Sequence, residues 1–434
     1  MSIFNFISMR ERLLRLLTSL GVEYGDISHF RAGRRHFYFI NQPEYIREVL
    51  VTPARDVHKS WALQNAKRIL GEGLLTSEEG FHLRQRRLAQ PAFQRQRVQD
   101  YAGCMVAQAA RLRERWRHGE EINAHAEMMR LTVLIAAETL FGADVESETA
   151  GVSEALGSFM NLFGLTFLPF AELLEKLPIP AMARFRKARA RLDGLIYRII
   201  EARRSDPERH QRNDLLSLLL RAEDEETGAA MSDQQLRDEC VTLMLAGHET
   251  TASALTFTWY LLANNPQVEK RLHAEIDAVL SGRLPTLADV PKLLYAEMVL
   301  TESMRLYPPA WILGRQVVNT FQLGGYEIAR GATLLMGQWV LQRDPRYWKN
   351  AEQFDPDRWS TETRASRSKS CYFPFGAGPR QCIGEGFAWM EGVLLLATLA
   401  QSWKLSLVPG FELELQPVIT LRPKHGMPMR LWRR

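Results

Sequence analysis

The sequence predicts a mainly α-helical protein with small β-sheets, and three patterns lead to that prediction. Two apolar-rich runs flank Gly33, at residues 29–32 and 34–40, as the strands of a β-hairpin do. A helical repeat of apolar residues dominates the chain beyond residue 80. Strand-like pieces return near residues 314–336 and 404–431, so we expect small sheets towards both ends of the chain.

The composition indicates one large globular domain. The chain of 434 residues is longer than a single hydrophobic core usually allows, yet no linker, change of composition or internal repeat divides it. Its 46% hydrophobic and 24% charged residues are ordinary for a globular protein. We therefore expect a single domain over residues 1–434, of which residues 1–24 form an N-terminal segment.

Cysteine use and the first residues indicate a cytoplasmic protein. Four cysteines are too few for a disulfide scaffold in a chain of this length, and no Cys/His spacing indicates zinc. Charged residues interrupt the apolar ones at positions 10–15, so the segment falls short of the ~18 apolar residues of a spanning helix. It also lacks the layout of a cleavable signal. We expect no transmembrane anchor.

The net charge of +5 and the pI near 9.0 leave two interpretations open. Nucleic-acid binding is disfavoured, because no recognisable nucleic-acid motif accompanies the basic residues. Most of these charges are typical of solvated helix faces. The basic segment 84–97 could also dock an acidic electron-transfer partner.

One helix is long enough to cross the whole domain. It begins at a capping box, Ser232 followed three residues later by Gln235, and the run ends at Asn264-Asn265-Pro266. About 32 residues at ~1.5 Å each give roughly 48 Å, so most of this helix must be buried. Its middle, residues 246–251, reads Ala-Gly-His-Glu-Thr-Thr. The residues alone allow a local opening beside a ligand, or a core helix whose threonines bond back to carbonyls.

A glycine-rich loop precedes the last long helical run. Residues 375–384 place Cys382 near a helix N-terminus, which favours thiolate over thiol, and Arg380 acts in the same direction. This pattern predicts an anionic sulfur directed at a metal. A buried structural cysteine is the alternative.

The pattern Phe-x-x-Gly-x-Arg-x-Cys-x-Gly, from Phe375 to Gly384, resembles the haem-binding loop of the cytochrome P450 family. The resemblance spans roughly residues 25–430 and implies the cytochrome P450 fold, in which the long helix and the cysteine loop sandwich haem b. Cys382 would be the metal ligand, since cysteine thiolate holds haem iron in that family. Phe375 and Gly384 would belong to the cofactor-binding loop.

Residues 246–251 resemble the oxygen-activation motif of the same family. The resemblance implies that Thr250 and Glu249 are catalytic, with Glu249 supplying protons through water. Ala246 and Gly247 would lie beside the haem. His248 is expected to be a structural neighbour rather than a base.

Other matches imply a structural triad and contacts to the haem carboxylates. Glu302 and Arg305 resemble the family's Glu-x-x-Arg pair, completed by Arg358 from a later loop in which Trp359 replaces the commoner Phe. For the two haem propionates, the resemblance supplies four residues: His82, standing where Trp is usual, and Arg86, Arg315 and Arg380.

The predicted substrate pocket is apolar. An aromatic stretch at 159–170 coincides with the family's lid, although ordinary helix packing would also explain it. Of the two other pocket segments, one follows a double proline and the other lies near the end of the chain. The pocket residues are Phe159, Phe163, Phe167, Trp311, Ile312, Val418 and Ile419. The substrate is expected to be lipophilic: a fatty acid, terpenoid, carotenoid or steroid-like molecule. The proline segments resemble a bacterial subgroup that oxidises fatty acids and carotenoids.

The resemblance implies a haem-thiolate monooxygenase that inserts one atom of O2 into its substrate. Only 52 residues of the 434 follow Cys382, so a fused reductase is not expected. Electrons would come from a separate ferredoxin or flavodoxin with an NAD(P)H-dependent reductase. We expect a monomer. A peroxide-driven peroxygenase and a haem-thiolate sensor are the alternatives, and the intact pair Glu249 and Thr250 weighs against both.

Overall fold

The computed structural model describes residues 3–51, 56–142, 180–212, 214–224, 228–365 and 368–434. Helices occupy most of these ranges, as predicted. They are α1 (Ile3–Tyr24), α2 (Pro43–Val51), α3 (Trp61–Leu70), α4 (Glu79–Ala89), α5 (Arg95–Asp100), α6 (Ala102–Arg115), α7 (Ala124–Phe141), α8 (Pro180–Ser205), α9 (Leu215–Arg221), α10 (Asp233–Asn264), α11 (Pro266–Leu280), α12 (Leu294–Leu306), α13 (Gln338–Leu341), α14 (Thr361–Ala365) and α15 (Glu385–Ala400). Short 3-10 turns lie at Gln90–Phe93, Leu287–Lys292, Pro356–Trp359, Lys369–Cys371 and Gly378–Arg380.

The strands are short and form small sheets. They are β1 (Ile27–Ala32), β2 (Arg35–Ile40), β3 (Val57–Lys59), β4 (Glu121–Asn123), β5 (Leu313–Val317), β6 (Phe321–Leu323), β7 (Tyr326–Ile328), β8 (Thr333–Met336), β9 (Trp403–Leu407), β10 (Leu415–Pro417), β11 (Leu421–Pro423) and β12 (Pro428–Arg433). The predicted mainly α fold with small sheets is therefore confirmed.

The largest sheet joins the N-terminal strands to strands far along the chain. Its order is β1-β2-β8-β5-β3, with β2 and β8 parallel and the other neighbours antiparallel. The predicted hairpin lies at its edge, where β1 pairs with β2 and Gly33 takes a φ of 62° in the turn. A second sheet has the order β4-β12-β9, and β6–β7 and β10–β11 form separate pairs.

Helix α10 is the centre of the fold. The predicted capping box is present, since Gln235 N donates to Ser232 Oγ at 3.3 Å and Ser232 N donates to Gln235 Oε1 at 2.8 Å. The helix packs against α7, α12 and α15, and its Phe257 and Trp259 are completely buried. Burial of apolar surface stabilises such a packing by roughly 25 cal/mol per Å². The polar residues in the middle of α10 therefore lie inside the protein.

Helix α1 packs against β1, β2 and β10 and buries Leu14 and Leu17 there. Neither α1 nor another helix in the described ranges has both the length and the apolar composition that a bilayer span requires.

Candidate active site

The cysteine loop is shaped by two glycines. Gly376 and Gly378 both have a φ of 70°, and a Cβ on Gly378 would lie 2.3 Å from the carbonyl oxygen of Leu50. Cys382 N donates to Phe375 O at 2.9 Å, which closes the loop shortly before α15 begins at Glu385. The loop therefore holds the cysteine at a fixed place near a helix N-terminus.

Cys382 keeps accessible surface although the surrounding protein desolvates its thiol, so a ligand can reach the sulfur. Burial raises the pKa of Cys382 above its ordinary value, while the Gly384 N–H and Arg86 lower it less strongly. The predicted anionic sulfur is one directed at a metal, and it stays a prediction. The helix N-terminus and an arginine do not offset desolvation by themselves, and a bound metal cation is what makes the thiolate the stable form.

Helix α10 has a strip of accessible surface in its middle. Residues 241–245 and 251–259 are buried, whereas Ala246 is exposed and Gly247 and Thr250 are partly exposed. Residues four apart share one face of a helix. Accessible surface within a central helix must border a cavity, so these three small residues line one.

Helix α10 continues without interruption through residues 246–251. The Thr250 hydroxyl donates to the Ala246 carbonyl oxygen at 2.8 Å, and the Thr251 hydroxyl donates to that of Gly247 at 3.4 Å. Of the two arrangements that the sequence left open, the back-bonded helix is therefore the one observed, and the local opening is not seen. The partly exposed Thr250 hydroxyl still reaches the cavity.

Glu249 is a buried acid within this segment. It is 2% exposed, and its Oε1 accepts a hydrogen bond from Thr420 Oγ1 at 2.5 Å. Burial raises the pKa of Glu249, while the Thr420 hydroxyl and Arg422 lower it. Burial also lowers the pKa of His248 to about 4, so its ring is neutral at pH 7, with Nδ1 2.9 Å from Met244 O. Glu249 is thus the side chain of this segment that can hold a proton.

Three cations gather beside the cysteine loop. This cation cluster consists of Lys59, Arg315 and Arg380. Lys59 and Arg315 are partners across the β3–β5 pair, and Arg380 Nη1 donates to Val57 O at 3.0 Å. One carboxylate, Glu78, accompanies them, 2.5 Å from Arg380 Nη2. The cluster thus has positive charge in excess.

Burial and the neighbouring charges change pKa values within the cluster. Burial lowers the pKa of Lys59 to about 7; Glu78 opposes this change, and Arg380 and Arg315 add to it. Burial and Arg380 lower the pKa of Arg315 to about 10. Such a cluster fits an anionic ligand.

His82 offers a donor to the same region. Its Nδ1 lies 3.3 Å from Lys59 Nζ and 3.3 Å from Ser77 Oγ. Its buried Nε2 makes no hydrogen bond of standard geometry among the described residues, and the Pro379 backbone lies close enough to act on the ring. Burial, then Lys59, lowers the pKa of His82 to about 3, so the ring is neutral. In the tautomer in which Nδ1 accepts from Lys59, Nε2 carries the proton and can donate it to an acidic ligand.

Arg86 and Arg380 both donate hydrogen bonds to backbone carbonyls near the cysteine loop. Arg86 Nη1 donates to the Gln381 carbonyl oxygen at 2.7 Å, next to Cys382. Sequence reasoning named both arginines, and Arg315, but missed Lys59 and Glu78. No local pattern marks those two residues, because β3 meets β5 and the cysteine loop only in the folded chain.

The structure brings Glu302, Arg305 and Arg358 together in the interior. Arg305 donates to Glu302 through Nε at 2.8 Å and Nη2 at 2.7 Å, and Arg358 Nε donates to Glu302 Oε1 at 3.1 Å. Trp359 Nε1 also donates to Glu302 Oε2 at 2.8 Å. The indole at this position thus provides a hydrogen bond that a phenylalanine could not.

The triad is linked to the segment that leads into the cysteine loop. The ring of Trp359 lies 4.5 Å from that of Tyr372, and the Tyr372 hydroxyl donates to Thr301 O at 3.2 Å. Tyr372 precedes the loop by three residues. Loss of the triad would therefore affect the position of Cys382.

Two of the predicted pocket segments meet. Trp311 is 3% exposed, and its Nε1 donates to Val418 O at 3.0 Å. Ile312 and Ile419 are half-buried. Phe159, Phe163 and Phe167 lie outside the described residues.

Comparison with known proteins relates the whole chain to one family. A family profile described as Cytochrome P450 matches residues 1–427. Cyclooctatin synthase of Streptomyces melanosporofaciens is 39% identical over 414 residues, 95% of this chain and 90% of that protein. Pentalenene oxygenase of Streptomyces avermitilis is 36% identical over 427 residues, 98% of this chain and 93% of that protein.

A solved structure shows the same fold. The crystal structure of the haem domain of cytochrome P450DA is similar with a TM-score of 0.85 and 28% sequence identity. The similarity covers 99% of this chain and 93% of that one.

Proposed function

The chain belongs to the cytochrome P450 family, and on that basis we propose that it inserts one oxygen atom from O2 into a terpenoid. It is an oxidoreductase of the monooxygenase type with haem as its cofactor. The accessible strip of Ala246, Gly247 and Thr250 on a central buried helix is the observation that carries the proposal. This strip borders a cavity for an apolar substrate, next to the Thr250 hydroxyl and the Glu249 carboxyl group.

The residues present fit haem b. Its two carboxylates fit the excess positive charge of the cation cluster, and Nε2 of His82 offers a further donor to them. Cys382 is the thiol that would hold the iron, and α15, which begins three residues later, packs against α10. When bound to a thiolate, haem supplies the chemistry of O–O cleavage.

The protein's own part in the reaction is to place protons and substrate. Buried Glu249, whose pKa is raised by desolvation, is the carboxyl group of this segment that can take up and release a proton. We propose that this proton passes by way of water to the Thr250 hydroxyl, which borders the cavity. Trp311, Ile312, Val418 and Ile419 exclude water from the substrate side.

The terpenoid assignment draws on the relatives. Those at 39%, 36% and 36% identity are named for cyclooctatin, cyclooctat-9-en-7-ol and pentalenene. Apolar pocket residues agree with a substrate of this kind. The fatty acids, carotenoids and steroids that the sequence also allowed are the comparison classes.

We expect cyclic terpenes and their alcohols to shift the haem spectrum of the purified holoprotein at micromolar concentration. With a surrogate reductase system, mass spectrometry should show products heavier by one oxygen atom, labelled from ¹⁸O2. Matched panels of fatty acids, carotenoids and steroids test the other classes. If only fatty acids bind and react, the terpenoid assignment is wrong while monooxygenation stands.

We propose that electrons arrive from a cytoplasmic ferredoxin or flavodoxin with its reductase, docked on the cysteine side of the protein. The turn Gln90–Phe93 lies there, since a Cβ on Gly384 would be 3.7 Å from Phe93 Cε1. Arg95 follows and is exposed. Arg84 suits a test less well, because it pairs with buried Asp224 at 3.2 Å.

Arg95→Glu is expected to slow reduction by an acidic partner roughly tenfold at low salt, with a smaller effect as salt increases. Stopped-flow reduction measures the rate, and reduction by dithionite should not change. The matched control is Arg31→Glu, on an exposed position of β1. Equal slowing by both variants, or by both reductants, would rule out docking at Arg95.

A further inference from the structure

A hydrogen bond joins the acid of α10 to a turn at the predicted substrate pocket. Thr420 Oγ1 donates to Glu249 Oε1 at 2.5 Å, and the two residues are 5% and 2% exposed. Thr420 belongs to the turn between β10 and β11, where Val418 N donates to Thr420 O at 3.1 Å. The turn residues Val418 and Ile419 are half-buried. One turn therefore contacts both the pocket and the acid.

The turn is also attached to the other pocket segment. Leu421 N donates to Pro309 O at 2.9 Å, and Trp311 Nε1 donates to Val418 O at 3.0 Å. These bonds hold Thr420 between two pocket-lining segments. Because Thr420 is buried, the turn has little room to rearrange around it. A ligand that displaces Val418 or Ile419 therefore also moves the Thr420 hydroxyl.

The charge on Glu249 depends on the same hairpin. Burial raises the pKa of Glu249, and the Thr420 hydrogen bond and the attraction of Arg422 oppose it. Arg422 is fixed on β11 by donating Nε to Gln416 Oε1 at 2.9 Å. The titratable neighbours on the helices are His248 on α10 and His125 on α7. Burial lowers the pKa of each to about 4, so neither is charged at pH 7.

We propose that Thr420 is a positioning residue for Glu249, through which the turn 418–420 makes proton delivery depend on how the substrate is seated. This inference rests on the proposed function. With the turn in place, Thr420 orients the carboxyl group. With the turn displaced, Glu249 loses a donor and its affinity for the proton rises. Thr420 does not itself contact the reacting atoms in this proposal.

The first test is the titration of Glu249 itself. We compare Thr420→Val, which lacks the hydroxyl, with Thr420→Ser, which keeps it. In infrared spectra of the holoprotein, the band that disappears in Glu249→Gln reports the protonated carboxyl group. Loss of the Thr420 donor should raise the pKa of Glu249 by about one unit. Thr420→Ser should titrate as the wild type does. An unchanged pKa in Thr420→Val overturns the proposal.

The second test is the coupling of NAD(P)H consumption to product. In Thr420→Val we expect the product yield per NAD(P)H to fall roughly tenfold, the factor that one pKa unit represents. Thr420→Ser should retain most of it. Adding Thr420→Val to Glu249→Gln should cause no further loss, because the hydroxyl acts through the acid. Additive losses would show that Thr420 acts on the substrate directly, and the proposal would fail.

The outcome is separable from that of the terpenoid assignment. If no terpenoid is oxidised, the infrared titration of the three variants still decides whether Thr420 controls Glu249. If terpenoids are oxidised with equal coupling in wild type and Thr420→Val, the positioning role fails and the proposed function stands.

Discussion

Cys382→Ala is expected to abolish monooxygenation and to remove the thiolate signature of the haem. The sulfur has accessible surface, and the loop that carries it is closed by the Cys382 N to Phe375 O bond of 2.9 Å, which alanine keeps. The variant should therefore fold and still bind haem through the cation cluster, although more weakly. The measurement is the difference spectrum of the reduced carbon monoxide complex. Its Soret band should leave the wavelength that gives the family its name.

The matched control is Cys104→Ala, which removes another thiol that is not fully buried. Burial, and then the charge of Glu138, raises the pKa of Cys104, as expected for a thiol without a metal. Its spectrum and activity should equal those of the wild type. A thiolate-type Soret band in Cys382→Ala, or its loss in Cys104→Ala, would contradict the assignment of the iron ligand.

Glu302→Gln is expected to destabilise the protein by about 3–5 kcal/mol, because it leaves two buried guanidinium groups without a counter-charge. The Glu302 and Arg305 side chains are 0% exposed, and that of Arg358 is 8% exposed. Glu302 also accepts from Trp359 Nε1 and from Asp355 N at 3.1 Å. Denaturant unfolding measures the loss of stability. Haem retention should fall in parallel, because Trp359 supports the segment that leads to the cysteine loop.

An exposed ion pair of good geometry supplies the comparison. Arg271 Nη1 lies 2.7 Å from Asp357 Oδ2, with side chains 56% and 53% exposed. Arg271→Gln should change the free energy of unfolding by about 1 kcal/mol or less, since solvent screens exposed pairs. If Glu302→Gln and Arg271→Gln lowered the free energy of unfolding by similar amounts, burial would not be what makes the triad stabilising.

The motifs that sequence reasoning recognised are short and local. The capping box at Ser232, the positive φ of Gly376 and Gly378, and the Glu302–Arg305 pair each depend on residues a few positions apart. Helix and turn geometry bring such residues together wherever the segment lies. The helix-rich fold with a hairpin at Gly33 follows from the same local periodicity.

The sequence did not predict how the folded environment of a residue affects its pKa and its hydrogen bonds. Desolvation raises the pKa of Cys382 more than the Gly384 N–H and Arg86 lower it, an effect of burial that the sequence did not indicate. Of the two arrangements that residues 246–251 allowed, the back-bonded helix is the one observed, with threonine hydroxyls donating to helix carbonyls. Neither the degree of burial nor the choice among hydrogen-bond acceptors can be calculated from neighbours in the chain.

The amino-acid sequence alone determined the class of chemistry, since the cysteine loop and the segment 246–251 carry their residue types at fixed spacing. Only the tertiary structure decided which distant groups tune that chemistry. It placed Lys59 beside Arg315, Glu78 beside Arg380, and Thr420 on Glu249. Each pair joins segments that are far apart in the chain, and such contacts, with the burial that strengthens them, arise only when the whole chain has folded.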